Sequence, residues 1–388
     1  MTRVVIAAGG TAGHVVPALA VADALRARGA EVAFVGAERA EAELVPAAGY
    51  PLHRLRVVGI DRRSPVRAAR AVALAAVASA RAPALLRRLR PDVVLGGGGY
   101  VAGPVGLAAA ALRVPLALTE ADSHLGLANR MLAPLARRVF LAFPPREGAA
   151  RADRRGRFPV TGRPIPARTL GADRGRARER FDLSPVGPCL LVFGGSLGAR
   201  SLNEAAVEAF GATPALEGMS VLHACGHRDH EELAARLAEL GAPAHYRLVP
   251  YIQPFADALA AADLAAARAG GSIFELAAAG VPAVLVPYPH ATADHQTGNA
   301  RWMAEGGAAT VVPDAALDAA RLRREVVALL EAPERLAAMR RAARALARPD
   351  AAERIADELL ALAGPGPPDG AVDPRDRQRP APMTSEAE

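Results

Sequence analysis

Short apolar runs alternate with longer segments of mixed polarity along most of the chain. In the first part these runs predict buried strands at residues 3–8, 31–36, 92–95 and 115–119, with helices at 15–28 and 66–90. A second series of apolar runs predicts strands at residues 189–193, 220–224, 246–249, 264–267, 283–286 and 309–312. Strands that alternate with helices are typical of parallel sheets with right-handed crossovers. We therefore expect an α/β protein with two such sheets.

The length of the chain and a break in its pattern both predict two domains. The 388 residues exceed what a single core usually supports. After Phe140 the alternation loosens, and a charged segment at 151–157 leads to the sequence PVTGRP at 159–164, where we expect a hinge. The predicted domains are residues 1–162 and 163–350, and a helix at 351–362 is expected to cross back to the first domain. Residues 364–388 contain almost no large apolar side chain, which predicts a disordered tail.

Three glycine clusters follow predicted strands and precede predicted helices. They read GGTAGH at 9–14, GGGGY at 96–100 and GGSLGA at 194–199. Such a turn lets backbone N–H groups and a helix N-terminus face a phosphate. Glycine also serves tight turns and close packing without any ligand. Because all three clusters share one context, the sequence favours phosphorylated ligands at more than one place.

The chain is basic, with a net charge of +7 and an isoelectric point of about 10.3. All 47 basic residues are arginine and alanine is very abundant, which indicates compositional bias rather than a selected basic surface. Aromatic residues, on which bases would stack, make up only 4% of the chain, so we expect no nucleic-acid partner. The cluster of Arg62, Arg63, Arg67 and Arg70 fits either an anionic membrane surface or a solvated helix face.

Cysteine and histidine spacing argues against a disulfide framework and against a metal site. Cys189 and Cys225 are the only cysteines, and no secretory segment precedes Val4, so we expect a reducing cytoplasm. The histidines of segment 223–230 do not match zinc spacing. Residues 93–112 are uncharged and long enough for a membrane span, but their six glycines and Pro104 predict a strand, a turn and a helix start.

Two common nucleotide-binding motifs are absent from the glycine turns. The dinucleotide fingerprint G-x-G-x-x-G fails because Thr11 and Ser196 occupy its second glycine position, which disfavours a nicotinamide-dependent dehydrogenase. The P-loop motif requires a lysine, which this chain lacks, so phosphoryl transfer from ATP is not expected. We expect no cofactor.

Several motifs in the same order carry a family resemblance. They are GGTAGHVVPALA at 9–20, GGYVAGP at 98–104, GGSLGAR at 194–200, RAG at 268–270, ELAAAGVP at 275–282 and HQTGNA at 295–300. Together they resemble the MurG family of peptidoglycan N-acetylglucosaminyltransferases, which convert lipid I to lipid II. The resemblance covers roughly residues 3–360. It implies a GT-B fold, in which two Rossmann-like parallel-sheet domains face each other across a cleft.

The resemblance assigns the donor, UDP-GlcNAc, mostly to the second domain. Ser196 in the third glycine turn is expected at the diphosphate, although serine is also a common helix N-cap. Glu275 is expected to accept the ribose hydroxyls, although an acid in the first turn of a helix also complements the helix dipole. The backbone of Ile252 is expected at the uracil, and His295 and Gln296 at the GlcNAc hydroxyls.

The implied reaction is inverting transfer of GlcNAc to the 4-hydroxyl of the muramoyl sugar of lipid I. His14 is our candidate for the general base, because imidazole titrates near neutral pH and the residue follows the first strand. Alternatively His14 donates to the diphosphate or caps its helix, and Glu120 or Asp122 shares the base role. No Asp-x-Asp motif is present, so helix dipoles, Ser196 and an arginine are expected to stabilise the leaving group without a metal.

The chain departs from the usual family pattern at three places, one of which is the loop from Arg268 to Glu275, shorter by one residue. Glu120-Ala121-Asp122 stands for Glu-Gln-Asn, and Arg163-Pro164-Ile165-Pro166 stands for Asn-Pro-Val-Arg, so the phosphate-binding arginine is either Arg163 or Arg168. The remaining substrate-binding residues that the resemblance implies are Thr11, Ala12, Gly13, Gly98, Gly99, Tyr100, Asn129, Gly195, Gly198, Arg268, Gly270 and Asn299.

The resemblance also implies a location and leaves two rival functions. A patch at residues 57–70 is expected to rest on the cytoplasmic face of the cell membrane, which makes the protein a peripheral one. A UDP-GlcNAc 2-epimerase shares the fold and the ligand class but is expected to lack the GGYVAGP turn. The non-enzymatic rival is a nucleotide-sugar-binding scaffold that transfers nothing.

Overall fold

Two six-stranded parallel sheets form the centre of the molecule. The structure, a computed structural model, describes residues 1–59, 64–144, 156–195, 198–291 and 294–364. The first sheet has the order β3-β2-β1-β4-β5-β6 and the second β12-β11-β10-β7-β8-β9. Both sheets confirm the predicted α/β class. The boundary between residues 162 and 163 stays a prediction.

The strands are short and mostly buried on both faces. Those of the first sheet are β1 (Arg3–Ala7), β2 (Glu31–Gly36), β3 (Leu52–Arg54), β4 (Val93–Gly96), β5 (Leu116–Glu120) and β6 (Arg138–Leu141). Those of the second are β7 (Cys189–Phe193), β8 (Ser220–Ala224), β9 (Tyr246–Val249), β10 (Leu264–Ala267), β11 (Ala283–Leu285) and β12 (Ala309–Val311). The sequence pattern missed β3, which is not a continuous apolar run, and it also missed β6, although residues 139–143 are apolar throughout. In the register of the first sheet, Val4 of the central strand pairs with Val32 and Val93.

Fourteen α-helices cover the sheets within the described part of the chain. The first half contains α1 (Ala12–Ala27), α2 (Ala40–Ala47), α3 (Pro65–Leu89), α4 (Ala102–Ala111) and α5 (Leu127–Leu132). The second half contains α6 (Arg174–Arg180), α7 (Arg200–Phe210), α8 (His230–Glu239), α9 (Phe255–Ala261), α10 (Ile273–Ala279), α11 (His295–Glu305), α12 (Ala319–Leu330) and α13 (Pro333–Leu346). The last helix, α14 (Ala351–Ala363), packs on α1 in the first half, where Arg28 binds both carboxylate oxygens of Asp357.

Strand order reverses beside the central strand of each sheet, and ligands of doubly wound folds bind at such switch points, beyond the carboxyl ends of the strands. In the first sheet the reversal lies between β1 and β4, which carry the first and second glycine turns. In the second sheet it lies between β7 and β10, which lead into Gly195 and Gly270. The topology therefore brings all the glycine turns to two facing sheet edges.

Several sequence predictions fall outside the described residues. They concern Arg62, Arg63, Ser196, most of the charged segment 151–157, and the tail from residue 365 onward. Segment 93–112 forms β4 and α4 rather than a membrane span, as predicted. Within the described ranges α3 is the one helix whose length and composition would allow it to cross a membrane, and one such helix is a weak indication.

Candidate functional site

The first two glycine turns pack directly against each other. A Cβ atom on Gly99 would lie 2.0 Å from the carbonyl oxygen of Gly9, and one on Gly98 would lie 2.5 Å from Cδ2 of His14. Both glycines have positive φ, +93° and +76° for Gly98 and Gly99, a conformation that favours glycine. Packing and backbone conformation therefore explain these two glycines by themselves, before any phosphate contact is considered.

His14 lies in the first turn of α1, at the carboxyl end of β1. Its Nδ1 is 3.3 Å from Oγ1 of Thr11, and its ring covers Gly98. Burial and the charge of Arg163 lower the pKa of His14 below its ordinary value, while Asp122 and Glu41 oppose them. The imidazole is therefore neutral near pH 7, the state in which it accepts a proton.

Glu120, the second catalytic candidate, is buried and accepts three hydrogen bonds from the loop and helix that follow it. The donors are the N–H of Asp122 at 3.1 Å, the N–H of Gly126 at 2.8 Å and Nδ2 of Asn129 at 2.9 Å. Burial raises the pKa of Glu120, although these hydrogen bonds act in the opposite direction. The arrangement favours a role in shaping loop 121–126, and the catalytic role of Glu120 stays a prediction.

Arg163 lies where the two halves of the chain meet. Its Nη2 donates to the carbonyl oxygen of Gly13 at 2.5 Å, and a Cβ atom on Gly271 would lie 2.5 Å from its Cζ. Burial lowers the pKa of Arg163, and the charges of Asp122 and Glu275 raise it. Arg168, the alternative, is an exposed residue. The geometry therefore favours Arg163 as the cation of the cleft.

The cleft between the halves is lined from both sides. One cavity is bordered by Gly13, His14, Thr119, Glu120, Gly162 and Arg163. Across it, loop 121–126 meets α11, since a Cβ atom on Gly298 would lie 2.7 Å from Oγ of Ser123. The pKa of His14 also responds to His295, the first residue of α11. These contacts bring the first-half candidates next to those of the second half.

The second-half candidates surround the N-terminus of α10. Burial raises the pKa of Glu275 to about 7, with Arg163 opposing it. Gly270 faces open space, because a Cβ atom there would meet nothing within 4 Å. Oε1 of Gln296 accepts the backbone N–H of Tyr288 at 2.9 Å, which fixes the orientation of this side chain. Asn299 donates to the carbonyl oxygen of Ala269 at 3.0 Å, which ties α11 to the turn after β10.

The third glycine turn packs against Cys225, the residue directly after β8. Gly195 and Gly198 have φ values of +99° and +74°, and a Cβ atom on Gly198 would lie 2.1 Å from the carbonyl oxygen of Cys225. Ser196, the predicted diphosphate ligand, lies outside the described residues. Ile252 is buried against the core of the second half, so only its backbone is available to a ligand.

Comparison with known proteins decides the family. The model of the glycosyltransferase family 28 N-terminal domain matches residues 4–141, and that of the family 28 C-terminal domain matches residues 189–355. The chain belongs to glycosyltransferase family 28. Its two sheets and their cleft form the GT-B fold of this family.

Named relatives of this family 28 chain agree with that conclusion. A UDP-N-acetylglucosamine--N-acetylmuramyl-(pentapeptide) pyrophosphoryl-undecaprenol N-acetylglucosamine transferase of Moorella thermoacetica is 43% identical over 92% of this chain and 98% of its own. The crystal structure of MurG from Acinetobacter baumannii is 31% identical over 93% of this chain and 100% of its own, with a TM-score of 0.71. A UDP-GlcNAc 2-epimerase from Neisseria meningitidis, 13% identical over 93% of this chain and 100% of its own with a TM-score of 0.67, shares the fold alone.

Arg268 of this family 28 chain is a substrate-binding candidate whose guanidinium is held by protein groups. It donates to Oδ1 of Asp314 at 2.6 Å, to Oγ of Ser201 at 2.8 Å and to the carbonyl oxygens of Val286 and Pro287 at 3.1 and 3.2 Å. This geometry favours a structural role, in which Arg268 links β10 to the start of α7. Its substrate-binding role stays a prediction.

Sequence reasoning missed two residues at the cleft of this family 28 chain. Glu41 binds the first glycine turn and Ser123 touches Gly298, yet neither belongs to a motif that the sequence singles out. In the described ranges, no group of three or more His, Cys, Asp or Glu side chains is arranged to hold a metal ion.

Proposed function

We propose that this chain transfers GlcNAc from UDP-GlcNAc to the 4-hydroxyl of the muramoyl-pentapeptide sugar of lipid I, which yields lipid II in peptidoglycan synthesis. One observation carries the proposal. In a family 28 chain with named transferase relatives, Arg163 lies within electrostatic reach of both His14 of the first half and Glu275 of the second, and His14 also responds to His295.

The reaction is a single inverting displacement. The 4-hydroxyl oxygen of the acceptor forms a bond to the anomeric carbon, from the face opposite UDP. The bond from that carbon to the UDP oxygen breaks, and its electron pair stays on the departing diphosphate. His14 takes the hydroxyl proton, a role supported by its neutral imidazole and its place at the edge of the cleft.

The departing diphosphate needs positive potential. Arg163 supplies a full charge between the halves, and the N-termini of α7 and α10 add the partial charges of their N–H groups. Glu275 receives the ribose hydroxyls once it is ionised, and the N–H groups near Gly270 face the phosphates. His295 and Gln296 bind the GlcNAc hydroxyls, and the backbone of Ile252 meets the uracil.

The experiment that tests this function follows radiolabelled UDP-GlcNAc into a lipid I analogue in detergent, with EDTA present. We expect the label in the lipid fraction, because the chemistry assigned to the cleft uses no metal. Donor binding without transfer would favour the scaffold, and a free sugar epimer formed without acceptor would favour the epimerase. Transfer that stops with EDTA and returns with a divalent cation would contradict the metal-free mechanism.

We also propose that the chain docks on an anionic membrane surface through α3, α4 and α5. These helices are neighbours on one side of the first sheet. Their exposed apolar side chains are Val66, Val72 and Val77 on α3, Leu107 on α4, and Leu127, Met131 and Leu135 on and after α5. Exposed Arg67, Arg70, Arg81 and Arg130 lie on the same helices. Apolar insertion and basic attraction are the two signals that such docking needs.

The patch predicted from the sequence at residues 57–70 overlaps this surface in part. Val57 is buried against the first sheet, so it cannot contact lipid, and Val58 is exposed. Residues 60–63 lie outside the described residues. The proposed surface keeps residues 65–70 of that patch and extends to α5.

Val66 and Val77 of α3 test the docking surface. They are three helical turns apart on one face and are 80% and 48% exposed, so aspartate at both positions leaves the fold intact. We expect the double variant Val66→Asp/Val77→Asp to bind vesicles of phosphatidylglycerol and phosphatidylcholine roughly 100-fold more weakly, since apolar burial is lost and charge repulsion is added. Sedimentation with vesicles measures this.

The matched control is Val186→Asp, at an exposed valine of the second half. It is expected to bind vesicles like the wild type. If the double variant bound vesicles as tightly as the wild type, the proposed surface would be wrong. If the wild type bound equally well to vesicles without anionic lipid, electrostatic attraction would not contribute to docking.

A further inference from the structure

Glu41 is a buried acid with no role in the mechanism above. It is the second residue of α2, beside the end of β2, and its exposed fraction is 0%. Its Oε2 accepts the N–H of Gly10 at 2.9 Å, and its Oε1 accepts the N–H of Ala37 at 2.9 Å. One carboxylate therefore ties the first glycine turn, after β1, to the turn after β2.

The neighbouring glycines make room for this carboxylate. A Cβ atom on Gly9 would lie 2.8 Å from Oε1 of Glu41, and one on Gly36 would lie 2.7 Å from its Cγ. Burying a charged group is costly unless hydrogen bonds compensate for the lost water. Both oxygens of Glu41 accept a backbone N–H, which an amide side chain with its single acceptor oxygen could not do, so this position suits a carboxylate and brings a negative charge with it.

The charge acts on the group that the mechanism uses as a base. Within the described part of the chain, four charged or titratable groups act electrostatically on His14: Arg163 from the segment between the halves, Asp122 after β5, His295 on α11 and Glu41 on α2. Burial, Arg163 and His295 lower the pKa of His14, whereas Asp122 and Glu41 raise it. The pKa of Tyr100 in the second glycine turn, which burial raises, responds to Glu41 in the same direction.

We infer that Glu41 is a positioning residue of the transfer site: its carboxylate fixes the first glycine turn, which leads into His14, and places a negative charge next to that turn. The inference rests on the proposed function only in the role it gives to His14. It has one further consequence. The N–H of Gly10 is already bound by Glu41, so the first glycine turn contacts the phosphates of its ligands through other groups.

The test compares Glu41→Gln with Glu43→Gln. Both variants remove one carboxylate from the first turn of α2, but Glu43 is exposed. The pKa of His14 is read by NMR from chains labelled at histidine Cε1, and its resonance is assigned by its loss in His14→Gln. The pH profile of kcat/KM and the affinity for UDP-GlcNAc are measured alongside.

For Glu41→Gln we expect the pKa of His14 to fall, because a nearby negative charge stabilises the imidazolium. The acidic limb of kcat/KM moves to lower pH with it. We also expect kcat to fall about tenfold, because the glutamine amide faces one of the two N–H donors and loosens the turn. UDP-GlcNAc affinity stays at the wild-type value, and Glu43→Gln behaves as wild type in every measurement.

An unchanged pKa of His14 in a Glu41→Gln chain that still binds UDP-GlcNAc would overturn the inference. If that chain does not fold, Glu41→Asp decides, since it keeps the charge while withdrawing the oxygens from Gly10. Its His14 pKa is expected within about 0.3 of the wild-type value, and a clear decrease would overturn the inference. If the wild-type chain showed no transfer activity, the proposed function would be wrong. The NMR titration of His14 would still test the effect of Glu41 on it.

Discussion

Replacing His14 by alanine is expected to slow transfer of GlcNAc by about 10²- to 10⁴-fold, the usual contribution of a general base. The loss should appear in kcat, because the acceptor hydroxyl then has no group to take its proton. The donor residues lie mostly in the second half, so the affinity for UDP-GlcNAc should stay close to the wild-type value. Initial rates with a lipid I analogue, together with calorimetric titration of UDP-GlcNAc, measure the two quantities.

The control is His53→Ala, which removes an imidazole from β3 at the edge of the first sheet. It should transfer at nearly the wild-type rate. If His14→Ala lost donor affinity in proportion to its rate, His14 would be a ligand of the diphosphate, the alternative that the sequence left open. If His14→Ala transferred GlcNAc at the wild-type rate, His14 would not be the base, and Glu120 and Asp122 would be the remaining candidates.

Replacing Asp263 by asparagine is expected to lower the free energy of unfolding of the second half by about 3 kcal/mol. Asp263 binds Arg178 at 2.9 Å, Arg174 at 2.7 Å and Arg340 at 2.5 Å, and Arg178 is only 4% exposed. Burial raises the pKa of Asp263, but hydrogen bonds from Arg174 and Arg340 outweigh this effect and hold the pKa below its ordinary value. Without the carboxylate, the guanidinium of Arg178 stays buried with backbone carbonyls as its remaining acceptors.

Urea unfolding followed by circular dichroism measures this loss. The matched control is Glu232→Gln, which neutralises an acid that is 66% exposed and pairs with Arg200 at 3.4 Å. An exposed ion pair of this kind contributes less than about 1 kcal/mol, so the control should unfold almost as the wild type does. Equal unfolding midpoints for the two variants would mean that Asp263 does not anchor α6 and α13 to β10.

The candidate site was predictable where its chemistry follows a local pattern. His14, Gly98 and Glu275 each lie in a strand-turn-helix segment, and the order of strand, glycine and helix can be read from neighbouring residues. The choice between Arg163 and Arg168 could not be made in that way. Arg163 lies within the predicted hinge and Arg168 shortly after it, and only packing shows that Arg163 reaches Gly13, 150 residues away, while Arg168 is exposed.

Arg268, whose substrate-binding role stays a prediction, makes contacts that spacing could not predict. Its place after β10 and its match to a family motif predicted a ligand contact. The structure turns its guanidinium to Asp314, 46 residues further along the chain. No spacing rule links these two positions, because β10 and the segment after β12 meet only when the second sheet has formed.

The sequence by itself determined the two α/β units, the glycine turns at the ends of their strands and the family to which the chain belongs. Hydrophobic periodicity, glycine conformation and motif order are local properties, so they can be read without coordinates. Only the tertiary structure decided which groups meet. In the folded chain Arg163 donates to the carbonyl oxygen of Gly13, Glu120 accepts the N–H of Gly126, and Glu41 accepts the N–H of Gly10. Contacts of this kind join residues far apart in the chain, and they depend on how the sheets and helices pack.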